Sequence, residues 1–152
     1  MVAEICLNLS LRPLVFHTHG NPFGTNSVWL LLPMLQICLI SIYIPPLSAT
    51  KYSAEVIKFI SDNLDEVLLI YPNFDIQLIG DFNRIDTNYL ECSFDIRNVL
   101  VNEPTRGNAM LDLVFLSTDL LHLYEISVGP PVSSSDHRSV LCKPVKNMHQ
   151  QP

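Results

Sequence analysis

Between Val28 and Ile44 the chain reads VWLLLPMLQICLISIYI, and two consecutive prolines, Pro45 and Pro46, then end the run. A stretch this apolar has to be covered on every side, by lipid or by the rest of a protein core. Its length lies near the lower limit for a membrane helix, so a small membrane-anchored protein held by 28–44 is one reading. Pro33, Gln36 and Ser41 interrupt the run, however, and its later part, ICLISIYI, has the length and boundaries of a strand. A strand reads as this continuously apolar when both faces of its sheet are covered. The expectation is therefore a buried strand over 37–44 and no membrane partner.

Composition supports a single packed core. Of the 152 residues, 48% are hydrophobic and 16% charged, which excludes intrinsic disorder and suffices for one domain core. The formal charge of −6 argues against holding nucleic acid by charge alone, yet leaves room for an enzyme that uses a few local contacts and a metal. Cys6, Cys38, Cys92 and Cys142 lie far apart with no C-x-x-C pair, so neither a zinc site nor a disulfide framework is expected. The opening MVAEICLNLSLRP lacks the basic region and apolar run of a secretory signal, so the chain reads as intracellular with reduced thiols.

Residues 1–27 show no sustained period and read as irregular. From Ser53 to Tyr71, Ala54, Ile57, Ile60, Leu64, Val67 and Leu68 fall three or four apart, which predicts a helix with one apolar face, stopped by Pro72. Further strands are expected over 75–79, 110–116, 124–128 and 139–142. This order suits a layered α/β or α+β domain whose sheet is covered by helices.

Polar residues collect where these strands end. Asp81 and Asn83 follow one strand, Asp112 lies early in the next, and Asp136-His137 precede the last. Carboxylates hold Mg²⁺ through oxygen, the metal polarises a phosphoryl oxygen, and a histidine oriented by an aspartate moves a proton or neutralises charge. Alone, G-D-F-N is also an ordinary turn. Asp112 is harder to dismiss, since a carboxylate inside the apolar run MLDLVFLS needs a partner. His17 and His19 form an H-x-H pair with no acidic or thiol residue near it, and read as loop residues. Asp75, Asp86 and Asp95 read as turn or cap residues, Tyr71 and Tyr89 as packing groups. Ser133 to Ser135 lack any nucleophile context and read as a polar loop.

Four segments, SIYIPP (41–46), LIGDFN (78–83), PTRGNAMLDLVFLS (104–117) and SSDHRSV (134–140), occur in the order that marks one family. Over residues 36–143 the chain resembles the endonuclease/exonuclease/phosphatase superfamily, and more narrowly the apurinic-type endonuclease domain of non-LTR retrotransposons. The resemblance implies a four-layer αββα sandwich, Mg²⁺ dependence, DNA as partner, cleavage of a DNA phosphodiester, and a nuclear location for an active protein. By the same resemblance Tyr43 would contact the scissile phosphate, Asp81 would orient or activate the attacking water, and Asn83 would bond a phosphate oxygen. Asp112 would orient His137, His137 would contact the phosphate in the transition state, Asp136 would help hold the metal, and Arg106 would lie near the DNA backbone. Inositol phosphatases, sphingomyelinases and repair nucleases share G-D-x-N and S-D-H, whereas Y-x-P-P and P-T-R…L-D-L-x-F favour the retrotransposon branch.

One departure bears on activity. The family places an asparagine and a metal-binding glutamate upstream of the Y-x-P-P strand, and this chain has 42 residues before Tyr43. The expectation is a sandwich incomplete in its N-terminal half: a divergent remnant over 1–35, the C-terminal part of the domain over 36–143, and a tail over 144–152. Glu4, in EICL, is the candidate for the metal-binding glutamate. Loss of most of one sheet would leave the strands at 37–44, 75–80 and 110–116 with an uncovered face. Two function classes follow, a weak Mg²⁺-dependent endonuclease and a catalytically dead remnant.

Overall fold

The computed structural model describes residues 14–16, 22–100 and 103–145. The apolar run over 28–44 is two strands, not one. β2 (Asn26–Leu32) turns at residues 33–36 and returns antiparallel as β3 (Ile37–Tyr43), with Leu30 opposite Leu39 and Leu32 opposite Ile37. The turn closes with Gln36 at a positive φ of 53° and a hydrogen bond from the Leu35 N–H to the Leu32 carbonyl (3.0 Å). This hairpin replaces the membrane-helix alternative, and no helix of the described residues is long and apolar enough to cross a membrane. It also makes residues 26–32 a paired strand where no period was legible, with β1 (Leu14–Phe16) beyond it at the sheet edge.

After Pro45 the short α1 (Pro46–Lys51) leads into α2 (Ser53–Ile70), which follows the expected apolar spacing and buries Val56, Ile60, Leu64 and Val67. The chain re-enters the sheet as β4 (Asp75–Asp81), parallel to β3. A short helix, α3 (Asn88–Phe94), and β5 (Ile96–Asn98) precede β6 (Asp112–Ser117), which runs antiparallel to both β4 and β5. The result is a mixed six-stranded sheet in the order β1-β2-β3-β4-β6-β5. β7 (Tyr124–Pro131) and β8 (Arg138–Pro144) form a separate antiparallel pair. β7 extends past the expected 128 to include Pro130 and Pro131, which an edge strand tolerates because no partner needs their missing N–H.

The central strands alternate between two cores. Trp29, Ile40, Ile42, Leu78 and Phe115 pack with α2 on one face. Leu39, Ile79, Val114 and Leu116 pack on the other face with Tyr124 and Ile126 of β7 and Val140 of β8. The exposed face expected for these strands is therefore absent: Leu39, Ile79 and Val114 are 2%, 7% and 1% accessible. Two strands suffice because they lie over β3, β4 and β6, the strands with the most to cover. The layers among the described residues are thus helix, six-stranded sheet and two-stranded sheet, part of an αββα stack.

Candidate active site

Register alone brings the first three candidates together. Tyr43 ends β3 opposite Asp81 at the end of β4, and Asp81 lies opposite Asp112 at the start of β6. Directly opposed residues point to the same face, so the three side chains form a row across adjacent strands. They stand on the face that carries Ile79 and Val114, hence on the side of the β7–β8 pair. Below the row that face is dry core; at the row it turns polar.

The second sheet completes the group. His137, at the foot of β8, places Nδ1 2.8 Å from Oδ2 of Asp112 and Nε2 4.0 Å from Oδ2 of Asp81. Asp81 and Asp112 are buried, at 6% and 2% exposure, and the His137 side chain is 15% exposed. The His137 N–H donates to the Ser135 hydroxyl (3.1 Å), which sets the loop that delivers the ring. With Nδ1–H given to Asp112, the free ring nitrogen faces Asp81, the arrangement by which a carboxylate fixes a histidine tautomer.

Asn83 is tied to the same corner. Its backbone has a positive φ of 46°, a conformation asparagine tolerates better than most residues. Its N–H donates to Oδ1 of Asp81 (3.2 Å) and its side-chain amide to the Ile44 carbonyl (2.9 Å). The same side-chain amide also bonds the Asp81 carboxylate. Tyr43 is 40% exposed at the open end of the row.

The charges are set against one another. Burial, and next the neighbouring Asp112 charge, push the Asp81 carboxyl above the ordinary aspartate range, while His137 and the bonds from Asn83 oppose the shift. Asp112 bonds His137 through one oxygen, and its other oxygen, Oδ1, is buried with no hydrogen-bond partner. Asp81, Asp112 and His137 each offer one ligand atom, all within 4.8 Å of one another. Two carboxylates, one with an unsatisfied oxygen, and an imidazole are a donor set that fits a small divalent cation.

One expected metal ligand, Asp136, is not in this group. Asp136 lies at the surface in an ion pair with Arg106, 2.7 Å apart with side chains 67% and 47% exposed. The two residues that sequence reasoning assigned to metal and DNA backbone thus hold each other. Glu4 lies outside the described residues, as do His17 and His19.

No protein-family model matches the sequence, and no curated protein matches it. Solved structures do. The catalytic domain of human Nocturnin, determined with a bound sulfate anion, superposes with a TM-score of 0.54 at 15% identity, over 78% of this chain and 51% of that one. A humanized TDP2 of D. rerio carrying 14 mutations gives 0.57 at 14% identity, over 87% and 65%. A truncated TDP2 of Caenorhabditis elegans gives 0.53 at 12%, over 85% and 64%. The fold is of the endonuclease/exonuclease/phosphatase type. The chain spans between half and two thirds of the length of these structures.

Proposed function

We propose that this chain hydrolyses phosphodiester bonds in DNA with the help of a divalent cation, Mg²⁺ by preference, as the retrotransposon endonucleases that it resembles do. The observation that carries the reading is the Asp112–His137 pair bridging the two sheets, with the free ring nitrogen turned to the buried Asp81. A superposition on enzymes of this fold adds support, and the motifs quoted above add the substrate class.

Each residue has a task that its position permits. Asp81, raised in pKa by burial and by Asp112, takes a proton from the attacking water. His137, oriented through Nδ1 by Asp112, would act as the imidazolium, donating its Nε2–H to a phosphate oxygen and neutralising the charge that develops there. Asn83 would turn an amide hydrogen from Asp81 to a second phosphate oxygen, and Tyr43 would contact the scissile phosphate from the open end of the row. Asp81 and Asp112 would hold the cation, which when bound supplies charge to a phosphoryl oxygen and to the leaving oxygen. Arg106 stands at the rim, where a DNA backbone would compete with Asp136 for it.

The rate is expected to be low. With Asp136 engaged by Arg106, two carboxylates remain for the cation among the described residues, and few charged ligands give weak affinity. The same ion pair favours the second reading, a remnant that keeps the fold without the chemistry. Nicking of supercoiled plasmid by the purified chain decides between them, with Mg²⁺, with EDTA, and with His137→Ala. Slow nicking that requires Mg²⁺ and falls by roughly 100-fold or more in His137→Ala is the expected result, since a positioned acid or base contributes on that order. A folded chain that leaves the plasmid intact is the remnant.

A further inference from the structure

The geometry points to Thr105 as the residue that positions the Asp112–His137 pair, a role we infer from three bonds it makes to the two strands that carry them. Thr105 is fully buried, at 0% exposure, in the loop that leads to β6. Its hydroxyl oxygen accepts from the backbone N–H groups of both Leu111 and Asp112, each at 3.1 Å. Its carbonyl accepts from the N–H of Arg138, the residue after His137, at 2.7 Å. A single residue thus fixes the backbone of the aspartate on one side and of the histidine on the other.

The surroundings make this anchor stiff. The Thr105 N–H donates to the Ala109 carbonyl (2.9 Å), closing the 105–109 loop upon itself. The Arg138 guanidinium reaches back to the Pro104 carbonyl (3.4 Å) and to the Gly129 and Val128 carbonyls of β7 (3.2 and 3.5 Å), so the loop, β7 and β8 are stapled at one point. Leu111 sits where β4 hands over to β6, its carbonyl accepting from the Phe82 N–H (2.7 Å), so the threonine hydroxyl steadies that junction as well. Among the described residues, no other side chain accepts from the Leu111 and Asp112 N–H groups. Without the hydroxyl they are buried donors with no acceptor, and the start of β6 must shift to find one. A shift of roughly 0.8 Å, or a smaller one that also tilts the carboxylate, takes the 2.8 Å carboxylate–imidazole bond out of hydrogen-bond range.

Thr105 touches neither substrate nor cation. It acts through Asp112 and His137, and its importance for catalysis rests on the phosphodiesterase reading above. The positioning itself does not, and it has a readout of its own. An imidazole Nδ1–H held by a buried carboxylate gives a proton resonance far downfield and slow to exchange. That signal, assigned by its loss in His137→Ala, is expected in the full chain and in Thr105→Ser, which keeps the hydroxyl. It is expected to vanish or broaden in Thr105→Val, which replaces the hydroxyl by a methyl, and in Thr105→Ala. Turnover is expected to follow in the same order, with a fall of roughly 10–100-fold in kcat for Val and Ala, the range typical of residues that orient a ligand or base, and little change in KM. Persistence of the signal in Thr105→Val or Thr105→Ala with an unchanged amide spectrum overturns the inference, as does its absence from the unsubstituted chain. Should Thr105→Val not fold, Ser against Ala decides, because those two differ by the hydroxyl alone. A signal that obeys this order in a chain that cuts nothing sinks the phosphodiesterase reading and leaves the positioning role standing.

Discussion

Two carboxylates share the row at the strand ends, and Asp81 bears the cost of that proximity. Its carboxyl is held above the ordinary aspartate range by burial and by Asp112. A carboxyl whose folded pKa exceeds its unfolded one contributes stability that is fully present below the unfolded value, about 4, and is lost as pH rises through the folded value. Asp81→Asn removes that loss and keeps an oxygen for the Asn83 N–H. Chemical denaturation across pH should find Asp81→Asn more stable than the unsubstituted chain at neutral pH, with the advantage fading below pH about 4, where the Asp81 carboxyl is protonated folded or unfolded. An equal or lower stability at pH 7 would mean that the site is not under this charge strain. At the same scale, the sequence made Asp81, Asn83, Asp112 and His137 legible because each sits in a short motif at a strand end. It could not place Asp136, since nothing local says that Arg106, thirty positions upstream, will take its carboxylate. Thr105 stood in the quoted P-T-R segment, but a threonine hydroxyl accepting two backbone hydrogens leaves no trace in residue type or spacing.

Among the elements, β3, α2 and β4 follow from patterns a reader can count. The helix shows its 3.6-residue period, and both strands end at turn or proline signals. β2 was hidden because the hairpin turn at Pro33-Met34-Leu35-Gln36 is nearly as apolar as the strands that it joins and carries no glycine or asparagine. α3 buries a single residue, Leu90, and so shows no apolar period. Gly80 was read within a turn but lies inside β4, where a β-carbon would run into the backbone carbonyl of Ile42 on the neighbouring strand. The glycine permits the close parallel pairing that sets Tyr43 beside Asp81. Gly80→Ala should therefore destabilise the fold by about 1–3 kcal/mol or more, the cost of forcing atoms into a packed site, measured as a lowered denaturant midpoint. A change within about 0.5 kcal/mol, as for an ordinary surface substitution, would show that the two strands can part without cost.

For the molecule as a whole, the decisive fact is how the layers share the candidate site. Tyr43, Asp81 and Asp112 belong to the six-stranded sheet, and His137 belongs to the pair laid over it. The six-stranded sheet is buried on both faces along β3 and β4, whereas the residues of β7 and β8 are half-buried or exposed. Elements with less buried contact open at lower free energy. Native-state hydrogen exchange should accordingly find the amides of β7 and β8 less protected than those of β3 and β4, and uniform protection would refute the ranking. An excursion in which the pair lifts away would leave α2, the six-stranded sheet and the buried Trp29 on its far face in place. Fluorescence and circular dichroism would then record an almost intact protein. The candidate site would nonetheless have been taken apart, its two carboxylates left on one leaf and its imidazole carried off on the other, so that for this chain being folded and having the site assembled are separate conditions, joined only while the two leaves stay shut.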